Sequence, residues 1–149
     1  MREEQVTKAI LKWLHAFGWE IVCFDFPQSG TGRFLHPNAN VSDKNLASIN
    51  PDIVAVKERK CVFFENKDRF YYPDYEKVHD IKVTQNYSQD TAKLLSDRPI
   101  DIFYYGIGLP SEKHGKKSKD ASYLVDFIVG VEPNASISVL HAIDDSIFE

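Results

Sequence analysis

The apolar residues Val6, Ile10, Trp13, Leu14 and Phe17 recur at helical spacing, which predicts an amphipathic helix from Glu3 to Phe17 capped by Gly18. Trp19 to Phe26 is a dense run of aromatic and β-branched residues closed by Pro27, the pattern of a strand buried over most of its surface. Gln28 to Asn50 holds Gly30, Gly32, Pro37 and many small polar residues, with a helical turn indicated only around Lys44 to Ile49. It reads as a long loop, and loops of such length inside compact domains commonly carry function. Asp52 to Val56 and Cys61 to Lys67 flank the charged Lys57, Glu58, Arg59 and Lys60, which predicts a hairpin with a polar turn. After Pro73 a helix is expected over much of Tyr75 to Leu95, ending before Pro99. A strand at Ile100 to Gly106, a basic loop at Ser111 to Asp120, and strands at Tyr123 to Val131 and Ile137 to Ile143 complete the expected series. That order predicts an α/β sandwich around a mixed sheet.

The chain has 149 residues, the size of one domain spanning residues 1–149. Its apolar runs are short and interrupted by charge, so no membrane span is expected, and the charged first helix does not resemble a signal peptide. A cytoplasmic location is the expectation. Cys23 and Cys61 are the two cysteines, with neither a CxxC spacing nor a nearby His, which argues against a zinc site or a disulfide framework. The five histidines, His15, His36, His79, His114 and His141, are likewise scattered without ligand spacing.

Side chains two apart on a strand share a face, so Glu65 and Lys67 emerge together while Asn66 points the other way. Asp52, at the start of the neighbouring strand, can reach the same place. Two carboxylates converging from adjacent strands suit a hard dication such as magnesium, which keeps waters and room for a substrate phosphate. An ammonium group beside them would stabilise negative charge developing on that phosphate, and the neighbouring carboxylates should keep it protonated. The competing reading makes Asp52 a strand-start cap and Glu65 with Lys67 a surface ion pair worth under about 1 kcal/mol.

Pro51-Asp52, twelve residues, then Glu65-Asn66-Lys67 resembles the PD-(D/E)XK signature of type II restriction endonucleases, archaeal Holliday-junction resolvases and virus-type replication-repair nucleases. The preceding helix, with Glu4 ahead of Thr7 and then Lys8 to Leu14 and Gly18-Trp19, is similar to the first helix of resolvase-like members, which carries an active-site glutamate. The resemblance covers roughly Glu3 to Gln85. It implies a restriction-endonuclease-like α/β/α sandwich with a central mixed β-sheet, and a DNA endonuclease of restriction, defence, resolvase or repair type, cytoplasmic and acting alone or as a homodimer. It implies Asp52 and Glu65 as ligands of Mg2+, with Mn2+ as a substitute, Lys67 as the catalytic lysine, and Glu4, or Glu3 in its place, as the helix glutamate. Gln85 stands where some members carry a glutamine. Two departures are the polar Asn66, where these families usually have an apolar residue, and the long segment Pro27 to Asn50.

The formal net charge is -4, whereas affinity for a phosphate backbone comes chiefly from Lys and Arg. Positive charge is instead local, in Lys113, Lys116, Lys117 and Lys119, which form either a phosphate-gripping loop or a solvated one. Gln28, Ser29, Thr31 and Arg33 belong to a glycine-rich stretch that serves as a DNA-contacting loop or a plain turn. Phe70, Tyr71, Tyr72 and Tyr75 either stack on bases or cover the core. The alternative function is a catalytically inactive module of the same fold that binds nucleic acid or a protein partner. RNA is the alternative substrate.

Overall fold

The computed structural model describes residues 1–25, 50–85, 87–96 and 98–149. The chain folds as a mixed α/β protein with one six-stranded sheet in the order β1(Glu20–Phe24), β2(Ile53–Lys57), β3(Lys60–Asn66), β4(Ile102–Pro110), β5(Phe127–Val131) and β6(Ile137–Ala142). The pairs β1–β2, β2–β3 and β5–β6 are antiparallel, while β3–β4 and β4–β5 are parallel. Parallel neighbours need a crossover, and the helices α2(Tyr72–Thr84) and α3(Ser88–Leu95) provide it between β3 and β4.

Alternation along the central strands divides the core into two layers. Val62 and Phe64 of β3 join Ile53, Ala55, Phe127 and Val129 on the face covered by α1(Glu3–Ala16), whose Val6, Ile10 and Leu14 are fully buried. The opposite face packs Ile107, Leu109 and Ile128 against Tyr75 and Val78 of α2, and Cys61 and Phe63 against Leu95 of α3. Gly108 permits the close approach of α1, because a Cβ there would run into Asn66 Oδ1 and Ile10 Cδ1. Gly18, at φ +85°, ends the first helix as the sequence predicts. No helix among the described residues is long and apolar enough to cross a membrane.

Several expected elements differ. The single helix over Tyr75 to Leu95 is two helices, because Gln85 adopts a left-handed conformation (φ 52°) after Thr84. The first of them begins earlier, at Tyr72, placing Pro73 in its opening turn, where a missing N–H costs no hydrogen bond. Part of the basic loop is the short helix α4(Gly115–Asp120), and Ser122–Leu124 is a 3-10 turn rather than strand. β4 continues through its two glycines to Pro110, since parallel pairing on both sides occupies that stretch.

The acidic C-terminal tail also belongs to the core. Ile147 is fully buried, and Phe148 packs on Trp13, Trp19, Phe64 and Phe127. Lys60 Nζ donates to the Ser146 carbonyl oxygen at 2.8 Å, which helps hold the segment against β3. Ile147→Ala should therefore lower unfolding free energy by about 2–5 kcal/mol. Urea titration will measure this, and a loss below about 0.5 kcal/mol would mean that the tail does not contribute to the core.

Candidate functional site

The β2–β3 hairpin turns on Glu58 and Arg59, both at positive φ (50° and 67°), a geometry that suits the twist of two-residue hairpin loops. Its register pairs Ile53 with Phe64, and one further step brings Asp52 opposite Glu65. The Asp52 N–H donates to the Phe64 carbonyl and its own carbonyl accepts from Asp25 N–H, so this strand end is held on both sides. Asp52 Oδ2 accepts the Asn66 N–H at 2.6 Å, which aims the carboxylate across the end of β3.

Glu65, Lys67 and Asp52 meet there. Lys67 Nζ lies 3.3 Å from Glu65 Oε1, 3.9 Å from Asp74 Oδ1 and 4.0 Å from Glu3 Oε1. Lys77 approaches the same Glu65 oxygen at 3.8 Å. The cluster thus draws on four elements: the residue before β2, the end of β3, and the first turns of α1 and α2, which come from opposite layers and converge over the end of the sheet.

Four carboxylates, from Glu3, Asp52, Glu65 and Asp74, face two ammonium groups, from Lys67 and Lys77. The imbalance is felt in the titration of the cluster. Burial, followed by the charge of Glu65, pushes the Asp52 carboxyl up to about 8, against the opposing pull of the Asn66 N–H and Lys67. Glu3 and Asp74 are also raised, first by burial and then by neighbouring carboxylates, although Lys67 opposes the shift. Lys67 itself is raised: burial disfavours its charge, but Glu65, Asp74 and Glu3 outweigh that cost. It remains an ammonium group at neutral pH.

The helix glutamate facing the cluster is Glu3, not Glu4. Glu4 instead pairs with Lys8 at 2.8 Å. The distinction follows from the buried stripe Val6, Thr7, Ile10 and Leu14, to which Glu3 belongs by its i, i+3 and i+4 spacing. Asp74 and Lys77 were not anticipated. A carboxylate in a first helical turn is routine, and only the β3–α2 connection reveals what Asp74 faces. Asn66 is fully buried beneath α1 and donates to Thr7 Oγ1 at 3.0 Å, while its Oδ1 has no partner among the described residues.

The remaining expectations divide. Gln85 lies at the far end of α2, about 16 Å along the helix from Asp74, and so stands apart from the carboxylates. Lys113, Lys116, Lys117 and Lys119 are exposed. Of these, Lys113 borders a cavity of about 520 Å³ that also touches Asp68 and Gln5, close to the cluster. Tyr75 is buried and hydrogen-bonded to Ser118, with Phe70 against its ring, so these two cover the core; Tyr71 is exposed and Tyr72 bonds Tyr123. His79 and His141 bond the backbone carbonyls of Leu124 and Val125. Gln28, Ser29, Thr31 and Arg33 lie outside the described residues.

Among the described residues no three His, Cys, Asp or Glu side chains form a ready cage for a metal ion. Asp52 and Glu65 nevertheless offer two hard oxygen donors in a cluster whose acidic groups outnumber its basic ones. That set fits magnesium, which typically takes one or two protein carboxylates and completes its shell with water and phosphate. No protein-family model, curated protein or solved structure matches the chain.

Asp52 provides a test of these electrostatics. Its folded-state pKa of about 8 exceeds the ordinary value of 3.8, so the neutral carboxyl stabilises the fold, fully below pH 3.8 and progressively less as pH rises towards 8. Asp52→Asn keeps an acceptor for the Asn66 N–H and cannot ionise. In chelator at pH 8 the variant should be more stable than the native chain by at least about 1 kcal/mol, with the gap closing near pH 4. Equal thermal stability at both pH values would show that Asp52 is not crowded by its neighbours.

Proposed function

We propose that this chain is a magnesium-dependent endonuclease of restriction-endonuclease-like fold that hydrolyses phosphodiester bonds in DNA. The observation that carries this reading is the Lys67 ammonium 3.3 Å from Glu65, beside the half-buried Asp52 carboxyl group at the end of β3. The signature Pro51-Asp52 and Glu65-Asn66-Lys67 supports it from the sequence. A mixed sheet with helices on both faces suits the fold that this signature implies.

Asp52 and Glu65 would hold the ion, which when bound supplies an activated water and positive charge at the scissile phosphate. Lys67 has a defined part beside it. Its charge is secured by Glu65, Asp74 and Glu3, so it donates hydrogen bonds to a non-bridging phosphate oxygen and does not take a proton from water. The charge it neutralises is the one that grows as the water oxygen approaches phosphorus and the leaving 3′ oxygen departs. Glu3 and Asp74 act as positioning residues, fixing the ammonium from two layers. Lys113, beside the adjoining cavity, is suited to hold the backbone further along the strand. Cutting both strands of a duplex takes a symmetric pair of chains or two successive nicks. A restriction or defence role fits first, and a resolvase or repair role next.

Digestion of plasmid, single-stranded and branched DNA with magnesium or manganese, alongside a chelator control, tests the proposal. Lys67→Ala and Asp52→Asn should each reduce cleavage at least about 10²-fold while leaving the circular dichroism spectrum unchanged. Glu3→Gln should give a smaller loss, and Glu4→Gln should cut like the native chain. If the whole DNA panel stays uncut and calorimetry finds no divalent-ion binding that depends on Asp52 and Glu65, the chain is a non-catalytic binding module. Comparing ribo- and deoxyribo- versions of one substrate separates RNA from DNA as the target.

A further inference from the structure

Asn66 stands between the two residues that the end of β3 gives to the candidate site, yet its side chain lies on the opposite face. It is wholly buried beneath α1, and its Nδ2 donates to Thr7 Oγ1 at 3.0 Å. Thr7 is itself only 1% exposed. The amide rests on Gly108, its register partner in β4, where any Cβ would collide with Asn66 Oδ1. The layer around this pair is apolar, with Val6, Ile10 and Leu14 of α1 packed on Val62, Phe64 and Val129 of the sheet. An amide in such a layer works against the folded state, since its Oδ1 has no partner among the described residues. Leucine has the same branched outline and would bring no unpaired polar atom.

Direction is what the amide supplies and leucine would not. Apolar burial is indifferent to small slides and rotations of a helix on a sheet, whereas a hydrogen bond weakens steeply away from its preferred distance and angle. Thr7 follows Glu3 by four residues, so both lie on one side of α1, about 6 Å apart along its axis. Fixing Thr7 therefore fixes Glu3. The Glu3 carboxylate is 4.0 Å from Lys67 Nζ, the longest of that ammonium's three carboxylate approaches and the first that a displaced helix would lose. The Asn66 N–H meanwhile donates to Asp52 Oδ2 at 2.6 Å. One residue thus ties its backbone to one member of the cluster and its side chain to the helix that carries another.

We propose that Thr7 and Asn66 are positioning residues of the reaction: their hydrogen bond holds the first turn of α1 at the height and rotation that bring Glu3 to Lys67. The role in catalysis rests on the nuclease proposed above. Both side chains are buried away from the cluster, so they act through Glu3 and not on metal or substrate.

Thr7→Val and Asn66→Leu, made together, test this. The pair removes both hydrogen-bonding groups and keeps their outlines, so the melting temperature should stay within about 4 °C of native or rise. Thr7→Val alone strands the Asn66 amide and should lower it. The readout is the Lys67 Cε–H resonance, followed by carbon–proton NMR in chelator. Glu3→Gln should displace that resonance in the native chain, and should displace it less than half as far in the double variant. With magnesium the double variant should cut DNA roughly tenfold more slowly, and Glu3→Gln should slow it little further, because the two changes act on one contact. A full Glu3-dependent displacement in the double variant would overturn the proposal. So would a double variant that melts well below the native chain, which would make the pair a support of the core alone. Cleavage separates the two readings: if the native chain cuts no DNA but the displacement depends on Thr7 and Asn66, the placement of Glu3 stands and the nuclease falls. Native-rate cutting by the double variant, with full displacement, keeps the nuclease and removes the positioning role.

Discussion

Everything at the candidate site depends on the register of one hairpin. Glu58 and Arg59 close it in two residues, and that short turn leaves no slack for the strands to slide. A slip of one residue would exchange the two faces of β3, sending Glu65 and Lys67 under α1 and exposing Phe64 to the other layer. Burial on both faces penalises that exchange. Val62 and Phe64 belong to the α1 core, while Cys61 and Phe63 belong to the α3 side. Packing thus fixes the chemistry: the residues that fill the two cores also decide which side chains emerge at the strand end.

The second constraint is electrostatic. Carboxyl groups from three segments and a fourth from α2 crowd around Lys67, and burial raises the cost of ionising Glu3, Asp52 and Asp74. Such an arrangement disfavours the folded state of the bare protein and favours any cation that enters. The ammonium group relieves part of the repulsion but not all of it.

Much of this was legible in the sequence because it lies in short contiguous segments with clear periodicity. Strand alternation placed Glu65 with Lys67 and set Asn66 against them, and the helical stripe of Val6, Ile10 and Leu14 located α1. The same stripe contained the choice of Glu3 over Glu4, which the sequence reading did not extract. What stayed hidden depended on long-range contacts or unusual backbone. Gln85 breaks the long helix although nothing in its side chain demands a left-handed conformation. Asp74 and Lys77 gain meaning only from the way α2 follows β3. Among the acidic residues Asp144, Asp145 and Glu149 no periodicity marks Ile147 and Phe148, which complete the α1 core.

Lys67 is approached from helices on opposite faces of the sheet, by Glu3 of α1 and Asp74 of α2, so its ammonium links the two layers. Glu3 is carried by the same helix that buries Ile10, about 10 Å along the axis, and Asn66 bonds that helix one position before the lysine. A shift of α1 by a fraction of a turn, prompted by repacking deep in the interior, would be transmitted to the charged group through both connections. The position of that charge is accordingly a gauge of how well the helices on the two faces are seated.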